Sequence, residues 1–265
     1  MHTTKVIDHI TAWLKGYCER AGQQGFVVGV SGGIDSAVTS ALCARTGLPT
    51  RCVEMPIHQA VPQVSRALEH VAALQSIHSN VTLDRVDLTP SFDLIASALP
   101  KQGDAAAIEL ALANTRARLR MTTLYYIAGV HRSLVAGTGN KVEDFGVGFF
   151  TKYGDGGVDL SPIADLTKTE VYEVARDLGI VKSIQQAKPT DGLFGDDRSD
   201  EDQIGASYPE LEWAMDLRDR GLDPATMGLT LRQQQVLAIF DKRKAANRHK
   251  MEPIPVCMIP AALRA

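Results

Sequence analysis

Residues 28–36 read Val-Gly-Val-Ser-Gly-Gly-Ile-Asp-Ser. The apolar run 26–30 predicts a buried strand, Ser-Gly-Gly predicts a tight turn, and 36–46 predicts a helix ended by Gly47. A strand–turn–helix with paired glycines is a place for an anion. Glycine lets backbone approach closely, and N–H groups at the helix start point outward. Two common phosphate motifs do not fit. A Walker A loop requires Gly-Lys-Ser/Thr, and a dinucleotide turn requires G-x-G-x-x-G. Asp35 is the anomaly. A bare carboxylate about 4 Å from a phosphate oxygen repels it by roughly 1–4 kcal/mol, depending on the local dielectric. A divalent cation between them reverses the sign, so Asp35 points to Mg²⁺ shared with phosphate.

Outward from this turn, strand and helix alternate. Residues 4–21 carry Val6, Ile7, Ile10, Trp13, Leu14 and Tyr17 at helical spacing. Strands are expected at 50–56, 81–86 and 133–137, and helices at 63–77, 104–131 and 167–178. The last opens on a threonine cap and stops at Gly179. Alternation of this kind gives a parallel sheet with helices on both faces, whose ligands sit beyond the carboxyl ends of the strands. The turns after Val30, Met55 and Gly137 are therefore the candidate site. Residues 188–204, rich in Asp and Gly, read as a long loop expected to close over a ligand, and 207–218 and 229–248 read as helices. No shift of composition divides the chain, so 1–265 is expected to be one domain.

The bulk numbers exclude several classes. With 265 residues the chain can bury a substantial core, and 45% apolar with 22% charged content is ordinary for a globular protein. A net charge of -3 gives no basic field for nucleic acid. Cys18, Cys43, Cys52 and Cys257 are widely spaced, which argues against zinc and disulfides and for reduced, buried or half-buried thiols in a cytoplasmic protein. No signal pattern and no membrane-length apolar run is present, so no membrane partner is expected.

The loop S-G-G-I-D-S (31–36) resembles the pyrophosphatase loop of ATP-dependent adenylating enzymes, among them NAD, GMP and asparagine synthetases and some tRNA thiolases. A second stretch narrows the choice. G-F-F-T-K-Y-G-D-G-G-V-D (148–159) resembles the signature of the NAD synthetase family. Further blocks in the same order resemble that family: N-T-R-A-R-L-R-M (114–121), V-A-G-T-G-N-K-V-E (135–143), L-S-P-I-A-D-L-T-K (160–168), K-P-T-D-G-L (188–193), S-D-E-D-Q-I-G (199–205) and R-H-K (248–250). The chain departs from part of the family at Gly139-Asn140-Lys141, where a histidine follows Gly-Thr, and in a non-basic tail after Lys250.

The resemblance implies a doubly wound, mostly parallel five-stranded sheet with helices on both faces, of the adenine nucleotide alpha-hydrolase kind. It implies that ATP adenylates the nicotinate carboxylate of deamido-NAD and that ammonia then displaces AMP. Carried over residue by residue, ATP would meet Gly29, Val30, Ser31, Gly32, Gly33, Ile34, Asp35 and Ser36, with Thr138, Lys168 and Thr190. Ser31, Gly33 and Ser36 would donate to the pyrophosphate. Asp35 and Glu143 would hold Mg²⁺, and Asp35, Lys168 and Thr190 would serve the chemistry. Arg118, Lys152, Asp159, His249 and Lys250 would contact deamido-NAD. A homodimer is implied, with the helix at 104–131 as an interface element. No cysteine sits in a recognisable nucleophile setting for splitting glutamine, so free ammonia, or ammonia from a separate glutaminase, is the expected nitrogen donor.

Two other readings share the loop. One is an adenylating enzyme acting on another carboxylate or on a tRNA base, the latter calling for a basic surface and often a cysteine pair. The other is a regulatory nucleotide-binding protein without turnover, against which the retention of Asp35, Glu143, Lys168 and the full 148–159 block counts.

Overall fold

The computed structural model of the chain describes residues 1–190 and 199–264. Helix α1 (Thr3–Arg20) precedes strand β1 (Gly25–Gly29), helix α2 (Ile34–Arg45), strand β2 (Thr50–Glu54), helix α3 (Val61–Ile77) and strand β3 (Val81–Arg85). Helices α4 (Thr89–Ala98) and α5 (Ala105–His131) lead to strand β4 (Ser133–Val135). Beyond a π-helical turn, Val142–Val147, come α6 (Lys168–Asp177), α7 (Lys182–Gln185), α8 (Asp200–Ile204), α9 (Tyr208–Asp219) and α10 (Leu231–Met251).

The sheet is parallel, in the order β3-β2-β1-β4. The chain steps from β1 outward to β3, then returns to the other side of β1. The switch point thus lies between β1 and β4, where a crevice opens at the strands' carboxyl ends. Burial follows the period of two along β1. Phe26 and Val28 pack with α1, α2, α3 and α6, while Val27 packs with α4 and α5. A further core joins Val142 and Val147 of the π-helical turn to α9 and α10 through Leu211, Met215 and Phe240. The turn that carries Glu143 is therefore seated by the C-terminal helices.

The sheet has four strands, not the five expected. Residues 158–160 approach β4 but form only an isolated bridge, Ala136 to Leu160. The Asp159 carboxylate takes the Val135 N–H at 2.8 Å, filling a ladder position with a side chain. Pro162 then has no N–H with which to extend pairing. Helix α4 was not expected from the pattern, because of its apolar residues only Phe92 is buried while Leu94 is 73% exposed. The helix at 167–178 is confirmed with a full capping box between Thr167 and Glu170. Of the loop expected at 188–204, residues 191–198 lie outside the described residues, and its end forms α8, capped by Ser199. Cys18, Cys43 and Cys52 are buried free thiols, whereas Cys257 is exposed. Among the described residues no helix is long and apolar enough to cross a membrane.

His70 on α3 ties that helix to α2, with Nε2 2.9 Å from Ser40 Oγ. Burial pushes its imidazole down to about 4, with a smaller opposing pull from the Ala37 backbone. The folded state holds it neutral, while the unfolded chain takes up a proton near about 6.5. Stability is therefore full above about pH 6.5 and declines as pH falls towards 4, by up to about 3 kcal/mol. Urea unfolding should show this decline in the wild type and a much shallower one in His70→Gln. Parallel curves for the two proteins would show that His70 is not its source.

Candidate active site

The turn after β1 and the turn after β4 face each other across a cavity of about 260 Å³. Its walls include 29–36, Thr138, Glu143, Lys168 and Thr190, so every residue expected to meet ATP or Mg²⁺ converges there. The residues expected to hold deamido-NAD do not line it.

The first turn is built by its own hydroxyls. The Ser31 and Ser36 Oγ atoms lie 3.2 Å apart, Gly33 N donates to Ser31 Oγ at 3.2 Å, and Ser36 Oγ donates to Gly33 O at 3.0 Å. Gly32 has φ +80°, and a Cβ there would lie 2.4 Å from the Gln63 carbonyl oxygen of α3. Conformation and contact both demand glycine, so the loop lies directly on α3. Asp35 stands in the first turn of α2, where the helix dipole favours a negative charge.

Three charges from three elements meet at the cavity floor. Lys168, the first residue of α6 and 3% exposed, places Nζ 2.6 Å from Asp35 Oδ2 and 3.1 Å from Glu143 Oε1. Burial alone would lower the Lys168 pKa, but the Asp35 and Glu143 charges outweigh it and raise it above the ordinary value. Asn140 Nδ2 donates to Asp35 Oδ1 at 3.2 Å. The Tyr208 hydroxyl donates to Glu143 Oε1 at 2.5 Å, and its ring lies under the Lys168 ammonium at 4.7 Å. Burial, and then the Glu143 charge, keeps this phenol protonated as a donor by raising its pKa.

The donor chemistry fits Mg²⁺. Asp35 and Glu143 are hard oxygen ligands close enough to share one cationic group, and Lys168 shows that a cation is stable between them. Among the described residues no cluster of three His, Cys, Asp or Glu side chains closes around a point. That suits Mg²⁺, which takes one or two carboxylates and completes its shell with substrate phosphates and water. Such a cation would also balance the charge of the cavity wall. The cavity is lined by six acidic side chains (Asp35, Glu54, Glu143, Asp144, Asp155, Asp200) and four basic ones (Arg66, Arg120, Lys168, Lys188), which leaves no surplus of positive charge for a triphosphate.

The second expected set gathers elsewhere. Arg118 Nε donates to Lys152 O at 3.3 Å, and Lys152 Nζ donates to His249 O at 2.6 Å. Lys250 Nζ donates to the carbonyls of Gly148 and, at 2.6 Å, Phe150. Arg118, Lys152, His249 and Lys250 thus form one neighbourhood, partly tied up on backbone. Asp159 is separate: its carboxylate holds Val135 N and the Tyr125 hydroxyl, the latter at 3.0 Å, so in this structure it braces β4 against α5.

Sequence reasoning missed Asn140, Tyr208 and Asp144. Asn140 is wholly buried; it stands inside the block 135–143 that resembles the family, but the sequence assigns it no role. Tyr208 follows a Ser207 capping box, a helix-start signal that says nothing of the cavity. The Asp144 carboxylate fills the space beside Gly139, where a Cβ would lie 2.1 Å from Oδ2. Burial first, and then Glu143, pushes Asp144 up to about 8.

Asp35→Asn should keep the fold by circular dichroism, with a lowered melting temperature because Lys168 loses one of its two partners, yet lose at least about 100-fold in turnover, because an amide cannot hold Mg²⁺ against phosphate. Near-normal turnover would remove Asp35 from the metal. Tyr208→Phe keeps the ring but not the donor, and should lower kcat about tenfold through a mispositioned Glu143; an unchanged kcat would make the hydroxyl merely structural.

Comparison with known proteins bears on this geometry. The family model described as NAD synthase matches residues 6–254. An NH(3)-dependent NAD(+) synthetase of Mannheimia succiniciproducens is 36% identical over 215 residues, covering 80% of this chain and 84% of that one. The one from Syntrophomonas wolfei subsp. wolfei is 33% identical over 266 residues, covering 100% of both. Among solved structures, the NMN synthetase from Francisella tularensis superposes with a TM-score of 0.82 at 28% identity, covering 98% of this chain and 99% of that one.

Proposed function

Because the chain belongs to the NAD synthase family, we propose that its cavity carries out an ATP-driven amidation through an adenylated carboxylate. The overall activity is that of a ligase: ammonia-dependent synthesis of NAD⁺, the final step of NAD biosynthesis. The observation that carries the mechanism is the Lys168 ammonium held between Asp35 and Glu143 at the mouth of the Gly-rich turn.

ATP lies with its phosphates against 29–36, where backbone N–H groups and the start of α2 meet negative charge. Thr138 and Thr190 border the same space and complete the ATP site. Asp35 and Glu143 would hold Mg²⁺, which supplies charge neutralisation at the phosphates and polarises the phosphoryl group. A carboxylate oxygen of the nicotinate ring attacks the α-phosphorus. The bond to the β-phosphate oxygen breaks and pyrophosphate leaves. Lys168 then offsets the charge growing on that leaving group. Ammonia attacks the activated carboxyl carbon, the bond to the AMP oxygen breaks, and one proton from nitrogen passes to solvent. Asn140 and Tyr208 keep Asp35 and Glu143 aimed throughout.

The deamido-NAD contacts are assigned to Arg118, Lys152, His249 and Lys250, of which the Arg118, Lys152 and Lys250 cations suit a diphosphate. Asp159 joins them only if Tyr125 releases it. A homodimer through α5 is part of the same reading. Tyr126 and Val130, 73% and 60% exposed, present apolar surface on that helix. A second reading concerns substrate size. The fold matches an NMN synthetase closely, and the cations proposed for the dinucleotide stand outside the cavity, so a nicotinate mononucleotide is the alternative acceptor.

Purified protein given ATP, Mg²⁺, ammonium and deamido-NAD should form NAD⁺ and AMP in equal amounts, by coupled dehydrogenase assay and chromatography. ADP in place of AMP would overturn α-phosphorus attack. A kcat/KM for nicotinate mononucleotide above that for deamido-NAD would establish the second reading. Glutamine as good a donor as ammonium would refute direct use of ammonia.

A further inference from the structure

The phosphate turn has no lysine, and two of the other cations of the cavity are already held by protein groups. Lys168 is shared by Asp35 and Glu143. Arg120 donates to Met55 O at 3.1 Å and to Gln59 Oε1 at 2.8 Å, on the β2 side. Lys188 lines the cavity but is exposed. Arg66 differs from all three. It stands on α3, half-buried, and its Nε donates to the Gly32 carbonyl oxygen at 3.3 Å. Among the described residues it forms no ion pair with a carboxylate.

The backbone fixes this arrangement. Gly32 is pressed on α3 between Gln63 and Ala67, whose backbone atoms would meet a Cβ at 2.4 and 3.2 Å. Arg66 immediately precedes Ala67, so the guanidinium is anchored at the same contact, with one N–H on the turn. We propose that Arg66 is the cation of this phosphate turn, binding the β- and γ-phosphates of ATP and then the departing pyrophosphate with the remaining N–H groups of its fork. Guanidinium suits the task because it is always charged, and its planar donors match two phosphate oxygens. An arginine on a neighbouring helix takes the place that a Walker lysine fills within its own loop. The carbonyl contact orients the group before ATP arrives, so little side-chain freedom is lost on binding.

This inference rests on ATP occupying the turn, and the test keeps the two apart. Calorimetry with ATP and with inorganic pyrophosphate, each with Mg²⁺, is run on wild type, Arg66→Gln and Arg66→Lys, alongside thermal melting. The proposal expects about 10- to 100-fold weaker binding of both ligands in Arg66→Gln, a shallower salt dependence, and partial recovery in Arg66→Lys. KM for ATP should rise while KM for the carboxylate substrate stays within about twofold. Wild type that binds neither ligand would overturn the occupancy of the turn itself. Wild type that binds both, with variants that bind equally well, would overturn Arg66 alone. So would weakened binding accompanied by an equal loss of melting temperature in Gln and Lys variants, which marks a purely structural contact.

Discussion

One buried ammonium organises the active end of this molecule. Lys168 is almost fully removed from water and is tolerable there only because Asp35 and Glu143 face it. Breaking such a group by deleting one partner typically costs about 3–5 kcal/mol. The three residues come from the start of α2, the π-helical turn and the start of α6. Each element is delivered by different packing: the sheet and α1 hold α2, the capping box of Thr167 and Glu170 starts α6, and α9 with α10 seat the π-helical turn. The charge cluster therefore reports whether separate parts of the core have closed correctly.

Topology explains why the cluster lies where substrate can reach it. Strand order reverses direction between β1 and β4, and the turns that follow both strands open into one cavity. Packing dictates glycine at position 32, since α3 leaves no room for a Cβ. The wall is rich in carboxylates, and that composition makes sense for a phosphate site only when added cations accompany the phosphate. Asp35, odd in a phosphate turn, and Glu143, far from it in sequence, then serve one purpose.

Much of this was legible beforehand, for identifiable reasons. The apolar run 26–30, the paired glycines and the following helix are local signals, and the parallel sheet follows from their repetition. The residues expected on the ATP side could be named because motif spacing carries them, and the structure gathers them around one cavity. What escaped notice depends on tertiary contact. Asn140 and Tyr208 are ordinary residues until the fold brings them to Asp35 and Glu143. The fifth strand failed because a side chain, Asp159, satisfies the edge of β4 and Pro162 stops the ladder. The residues expected around deamido-NAD were named from separated motifs. The structure brings four together but leaves Asp159 bracing the sheet, a use that no motif spells out.

The central claim is that this carboxylate-lined cavity accepts a triphosphate only with a divalent cation shared by Asp35 and Glu143. The most direct measurement is the affinity of the wild-type protein for ATP, with no second substrate, in excess Mg²⁺ and again in excess EDTA at matched ionic strength. The account predicts binding at least about tenfold tighter with Mg²⁺, the equivalent of some 1.4 kcal/mol. Equal affinity in the two conditions would contradict it, and would mean that Lys168, Arg66 and the turn neutralise the phosphates without a metal.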